Sequence, residues 1–205
     1  MTGESGSSST VRPGAWREPQ PGSREPAPGE LALVQAFVNS HYDLELEHGA
    51  DLFATPVALS RWLERRGGVE ARSDSLTERD VRRAVAVREG LRALAGGSDS
   101  ASSLAALNEA AAGAAIEVRF TASGPSFVPG EGGRLDHALA IVLAIAATAM
   151  IDGSWTRLKV CPGVDCGWLF YDHSRNQSGR WCSMAVCGGR AKARAHYRRR
   201  RDGDA

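Results

Sequence analysis

The apolar positions fall into blocks whose spacing changes from helical to alternating and back. The first block is Leu31, Leu33, Val34, Ala36, Phe37 and Val38, a compact segment suited to a core helix beginning at Glu30. Asn39, His41 and Asp43 lead out of it into a polar loop. The stretch "TPVALSRWLERRGG" predicts a second helix with both ends marked. Thr55 can accept a backbone N–H bond as N-cap, Pro56 suits the first helical position, and Gly67 suits a left-handed cap. Leu59, Trp62 and Leu63 form its buried face. A third helix opens at Thr77, with Asp80 at capping-box spacing, and continues through Val81, Ala84, Val85, Arg88, Leu91, Leu94 and Ala95. A shorter one follows around Leu104 to Ala112.

The period then shortens. In "IEVRFTASGPSFVP", Ile116, Val118 and Phe120 alternate with charged residues and "SGP" separates them from a second short run, which predicts a β-hairpin. From Arg134 to about Asp152 the helical period returns in one long core helix, ended near Gly153. Its apolar run, Ala138 to Ile151, falls short of the roughly 20 residues of a membrane span, so no membrane partner is expected. No repeat of solenoid period is present.

Composition separates the ends from the middle. Residues 1–29 hold five Gly, five Ser and five Pro with apolar residues only singly, which predicts a disordered tail ahead of a helical domain over 30–153. The opening "MTGESGSSSTVRPGAW" has none of the regions of a signal peptide, so a cytoplasmic protein is expected. The 205 residues allow one full-sized domain and a small appendage.

A net charge of +1 conceals a strong asymmetry. Residues 1–156 carry 14 Lys or Arg against 20 Asp or Glu, whereas residues 157–201 carry 11 against 2. The surplus positive charge thus sits in the final quarter, with all four cysteines. Such a basic segment is the usual electrostatic footprint of a nucleic-acid partner, though a solvated helix carries the same signature.

Cys161, Cys166, Cys182 and Cys187 have the spacing C-x4-C-x15-C-x4-C. Two close pairs across a short loop can converge four sulfurs on a tetrahedron, the arrangement of a structural zinc ion with no open coordination position. Two disulfides, an iron–sulfur cluster and a redox-switched site are the rival uses of four thiols. One structural Zn2+ is the reading favoured here, because a small Arg-rich module cannot bury enough apolar area alone. Between the pairs, Trp168, Leu169, Phe170 and Tyr171 predict a short strand packed as a miniature core. His173 reads as a loop residue, and Arg175, Asn176 and Arg180 as candidate phosphate or base-edge contacts. Beyond Cys187, Arg190, Arg194, Arg198 and Arg201 recur on one face of a predicted basic helix that also carries Lys192 and Arg199. Alanines at 191, 193 and 195 favour that helix and keep it slim enough for a groove.

The segment "LKVCPGVDCGWLFYDHSRNQSGRWCSMAVCGGRAKARAHYRRRR" resembles the CGNR zinc finger, a bacterial C-terminal module. Its name-giving tetrapeptide corresponds to Cys187, Gly188, Gly189 and Arg190, with Gly189 where the motif has Asn. The part beginning "LALVQAFVNSHYDLELEHGADLFATPVALSRWLERRGG" is similar to the ABATE domain that precedes this finger. The resemblance implies zinc on the four cysteines, a DNA-binding finger and an N-terminal domain that senses a small ligand or stress signal in a transcriptional regulator.

The expected architecture is mainly α with one small hairpin (α+β). The helical domain precedes a treble-clef-like or ribbon-like four-cysteine zinc module over 154–201, which ends in a basic helix before a tail at 202–205. A ligand pocket is expected near Phe37, Asn39, His41 and Trp62, where an apolar helix meets a polar loop. The cluster Asn39, His41, Asp43, Glu45, Glu47 and His48 would be the place for an enzyme, but no nucleophile motif or phosphate loop accompanies it and no enzyme is expected. An RNA-binding or protein-interaction module is the alternative to DNA binding, and specific DNA recognition by a lone finger would be helped by a homodimer.

Overall fold

The computed structural model describes residues 18–42, 49–66, 75–98, 100–122 and 124–203. The helical part contains α1 (Leu31–Asn39), α2 (Pro56–Arg66), α3 (Glu78–Ala95), α4 (Ala101–Ala111) and α5 (Arg134–Ile151), with strands β1 (Ile116–Thr121) and β2 (Gly124–Pro129) between α4 and α5. The local signals explain most of these limits. Thr55 Oγ1 accepts the Ala58 N–H at 3.1 Å, and Thr77 and Asp80 form a reciprocal capping box at the start of α3. Ser100 caps α4, which therefore starts earlier than its apolar pattern alone suggested. Gly153, with φ +82°, takes the left-handed conformation just beyond α5. The proposed cap at Gly67 and the loop residues Asp43, Glu45, Glu47 and His48 lie outside the described residues.

Every residue of α1 is buried, so this helix forms the centre of the domain. Phe37 meets Phe53 and Trp62 with ring centroids 5.3 and 5.7 Å apart, and Phe53 meets Trp62 edge-on at 5.2 Å. Leu59, Leu63, Leu91 and Leu139 complete the surrounding layer. By length and composition α5 could cross a membrane, yet half of it is buried among the other elements, and its first turn carries Arg134 and Asp136. Arg88 was expected among the apolar positions of α3. It is instead a buried cation, held by Asp51 through two bonds of 2.7 and 2.8 Å and lying 5.4 Å from the Phe53 ring centre. Burial opposes the Asp51 charge, but the Arg88 bonds and the Phe53 N–H outweigh it and hold the carboxyl below its usual value.

The C-terminal part comprises β3 (Leu158–Val160), β4 (Leu169–Tyr171), a wide helical turn at Met184–Gly188 and α6 (Gly189–Gly203). Its hairpin is not a separate body. Leu158, Leu169 and Tyr171 belong to the same apolar cluster as α1, α3 and α5, while Phe170 and Trp168 face the cysteines. Alternation along β4 thus distributes its side chains between two cores.

Polar bonds reinforce this junction. Asn39 accepts the Leu169 N–H at 2.8 Å and donates to the Leu169 carbonyl at 2.8 Å, so its amide takes the place of a neighbouring strand. Gln35 donates to the same carbonyl at 3.2 Å and accepts the Ala27 N–H at 2.7 Å. Gln20 Oε1 accepts from Gln35 at 3.0 Å and from Trp168 Nε1 at 3.0 Å. From α3, Arg92 donates to the carbonyls of Gly167 and Val38.

Residues 18–29 correct the expectation of a tail disordered through 29. Gln20 and Ala27 are buried, and Arg24 donates to the carbonyls of Cys182, Trp181 and Tyr171 at 3.0, 3.0 and 3.3 Å. Its guanidinium also lies 4.7 Å from the Phe170 ring centre. A polar, Pro-rich composition concealed this strap because its attachments are single long-range hydrogen bonds rather than an apolar face.

Asn39→Ala would leave the Leu169 N–H buried without a partner. The expected outcome is a loss of about 2 kcal/mol in unfolding stability, read by denaturant titration, with zinc content unchanged.

Candidate metal centre

Cys161 and Cys166 bracket a tight turn between β3 and β4. The Cys161 N–H bonds the Trp168 carbonyl at 2.9 Å, and the Cys166 N–H bonds the Gly163 carbonyl at 3.1 Å. A Cβ added at Gly163 would stand 3.0 Å from Cys187 Sγ and 3.1 Å from Cys166 Cβ, so the turn needs glycine for its close approach to the sulfurs. Cys182 and Cys187 flank the entry to α6. There Ser183 Oγ accepts the Val186 N–H at 3.2 Å, and the Gly188 N–H reaches back five residues to the Ser183 carbonyl at 3.0 Å. This turn is wider than an α-helical one and brings Cys187 inward toward Cys182.

The four sulfurs lie within 4.8 Å of one another, with Cys166–Cys182 and Cys182–Cys187 both at 3.6 Å. Four sulfurs each about 2.3 Å from one tetrahedral ion would be separated by about 3.8 Å, so the set fits zinc. The cysteines are free thiols, three of them buried. The Cys182 sulfur and the Trp168 N–H bond Cys166, and these bonds, against the opposing effect of burial, draw its thiol down to about 5. Cys182 is raised, chiefly by its bond to Cys166 and by burial, and burial likewise raises Cys187 to about 11. Closely packed sulfurs resist sharing more negative charge without a cation between them; a divalent ion removes that conflict. The donor set is closed, with three of its four sulfur-bearing residues buried, which makes the zinc structural.

The loop between the pairs is fixed from inside by a residue that pattern reading passed over. Asp172, 1% exposed, accepts from Lys159 Nζ at 2.7 Å, from the Gly179 N–H at 2.7 Å, and from Ser174 N–H and Oγ at 3.0 and 2.7 Å. Burial opposes its charge, but these donors prevail and hold the carboxyl well below the usual carboxylate range. An isolated Asp between aromatic and polar residues carries no periodic signal. Only the turn-like "DHSRNQSG" after it hinted that its oxygens would hold the loop.

A hairpin with a cysteine turn, followed by a helix whose entry carries the second pair, is the treble-clef-like form of the two expected. A family model described as "CGNR zinc finger" matches residues 157–200. Another, described as "ABATE: Putative stress-induced transcription regulator", matches residues 31–153, more than half of the chain. The chain belongs to the ABATE family. A search among curated proteins finds no match. The order of the ABATE region and the CGNR finger, and the single zinc site on Cys161, Cys166, Cys182 and Cys187, agree with the resemblance drawn from the sequence.

The remaining predicted residues separate into distinct places. Arg175, Asn176 and Arg180 are on the loop, all three exposed, with the Arg180 guanidinium over the Trp181 ring at 5.3 Å. His173 lies tilted against Tyr171, ring centroids 4.7 Å apart, with its Nε2 3.0 Å from the Pro26 carbonyl. On α6, Arg190, Lys192, Arg198, Arg199 and Arg201 are exposed, but Arg194 is half-buried with Ala191 and Ala195. The arginine stripe therefore starts on the flank of α6 nearest the protein. Lys192, Ala193, His196 and Tyr197 occupy the outward side.

The four residues expected around a ligand pocket are not brought together. Phe37 and Trp62 are in the aromatic core beside a small apolar cavity also lined by Leu33, Leu63, Ala138, Ile141 and Val142. Asn39 is engaged by Leu169. His41 stands at the finger, where Arg92 donates to its Nδ1 at 2.9 Å and its Nε2 faces the Cys166 carbonyl at 3.4 Å. Burial and the Arg92 charge lower the pKa of its imidazole.

Gly189, the departure from the family motif, has helical backbone angles of −61° and −47°. An added Cβ would meet nothing nearer than the Met184 carbonyl at 3.6 Å. Gly189→Ala should therefore raise stability by about 0.5–1 kcal/mol, measured by thermal unfolding of zinc-loaded protein.

Asp172→Asn should lower stability by about 2–3 kcal/mol at neutral pH, because it leaves Lys159 facing a largely buried site without its counter-charge. The depressed carboxyl contributes above the ordinary Asp value near 3.8 and loses that contribution as pH falls through its lower folded value. In urea titrations, wild type and variant should therefore converge only in strong acid.

Proposed function

We propose that this ABATE protein is a zinc-containing transcriptional regulator that binds duplex DNA through α6 and the loop at 175–180. The observation that carries the proposal is the exposure of Arg190, Lys192, Arg198, Arg199, Arg200 and Arg201 on a helix whose base is fixed by the metal centre. Successive residues of a helix turn by about 100°, so the four consecutive arginines surround its last turn, whereas Arg190 and Lys192 lie near the zinc. This arrangement suits phosphates on both sides of a groove. Tyr197 and His196 offer aromatic edges between the cations, 6.2 Å apart. Arg175, Asn176 and Arg180 supply the second contact region, and zinc supplies rigidity rather than reactivity.

The helical domain receives a small ligand or stress signal, in keeping with its family. Because α1 is bonded directly to Leu169 of β4, and Arg92 of α3 to the Gly167 carbonyl just before that strand, a change in the packing of those helices would reach the finger without crossing a flexible linker. A cytoplasmic, non-enzymatic regulator is consistent with four free cysteines gathered on one structural ion.

Zinc-loaded protein should bind random duplex DNA at low salt, with log K falling against log salt by roughly 0.9 per phosphate contacted. Arg198→Ala should weaken binding to all sequences and reduce that slope by about one. Fluorescence anisotropy across a salt series measures both. Fully metallated protein that binds neither DNA nor RNA would overturn the nucleic-acid reading. Preference for RNA would favour the RNA-binding module instead, and Val164, Met184 and Val186, exposed on the finger, would suit a protein partner.

A further inference from the structure

The hairpin β1–β2 presents its apolar side outward. Its register sets Ile116 opposite Pro129, Val118 opposite Phe127 and Phe120 opposite Pro125, all on one face. Phe120 is 81% exposed and Val118 55%. The other face carries the exposed Glu117 and Arg119 of β1 beside Ser126 and Val128 of β2, the last two half-buried where β2 packs along α5. A hairpin with its charged side toward its own domain and its apolar side toward solvent is inverted for a monomer.

Among the described residues β1 pairs only with β2, so its other edge is open. Six regular pairs leave no bulge in it, and its sequence has no proline or lysine. Edge strands usually carry such features to repel one another. Here the charges have the opposite arrangement, since Glu117 and Arg119 flank Val118 symmetrically, and neither makes an ion pair among the described residues.

We propose that β1 is a homodimerisation strand, pairing antiparallel with β1 of a second copy about a two-fold axis at Val118. That register places Val118 opposite Val118 of the partner subunit, Ile116 opposite Phe120 of the partner subunit, and Glu117 opposite Arg119 of the partner subunit. The segment "IEVRF" is thus complementary to itself in charge and in apolar character. The product is a four-stranded sheet, β2–β1–β1–β2, in which each central strand gains a second neighbour, a stronger arrangement than an isolated two-stranded hairpin.

The test is sedimentation equilibrium on the full-length, zinc-loaded chain. Wild type is expected to be dimeric. Glu117→Arg and Arg119→Glu each set like charges opposite one another twice per dimer and should weaken association by about tenfold or more. The double variant, E117R with R119E, restores both attractions and should return to near wild-type affinity. Val118→Lys places two cations on the axis and should give monomers with unchanged zinc content and circular dichroism. A wild type that remains monomeric at about 100 µM overturns the proposal. So does a dimer indifferent to both single reversals, which would locate association on another face.

Discussion

The double hydrogen bond between the Asn39 amide and the backbone of Leu169 is the contact on which the arrangement of the two regions depends. Strand β4 has β3 on one edge, and the other edge is turned toward α1, where water cannot satisfy it. A helix has no free backbone groups to pair with a strand along its side, so a side-chain amide supplies both donor and acceptor. Gln35, one turn earlier on α1, extends the network to Ala27 and Gln20, and through Gln20 to Trp168. The finger is thereby placed by the last two turns of one buried helix.

Around that contact the structure uses two kinds of core. The helical region excludes water with aliphatic and aromatic side chains centred on Phe37 and Leu59. The finger is too small and too basic for that, and gathers Trp168, Phe170 and Trp181 around four sulfurs. Its zinc thus performs the task of a hydrophobic interior, while Asp172 performs that of a turn sequence by drawing Lys159, Ser174 and Gly179 around one carboxylate.

Features with a period or a fixed spacing were legible in the sequence. The capping box at Thr77, the cap at Thr55, the hairpin, the long helix from Arg134 and the four metal ligands follow from patterns that nearby residues enforce. The features missed are those with no local signature. Arg24 is separated by 158 residues from the Cys182 carbonyl it bonds, and nothing around it distinguishes it from other arginines of a polar segment. Asn39 and His41 looked like ligand-binding residues because a polar group at the end of an apolar helix has that appearance; Asn39 is instead bonded to Leu169, and His41 stands between Arg92 of α3 and the Cys166 carbonyl. Arg194 was assigned to an outward stripe on helical spacing, but spacing fixes only relative direction, and the absolute direction is set by how the wide turn at Met184–Gly188 delivers α6.

The contacts of Arg24 bear on where this chain can be divided. Three carbonyls of the finger, at Tyr171, Trp181 and Cys182, share that one guanidinium, and Gly22 passes so close to Ser183 that a Cβ there would stand 2.6 Å from its hydroxyl. The finger is consequently a discontinuous unit, completed by a segment encoded ahead of the domain that separates them in sequence. A fragment cut at the family boundary near residue 157 would possess every metal ligand and still lack part of its own wall, and grafting the finger onto another protein would require transplanting both pieces.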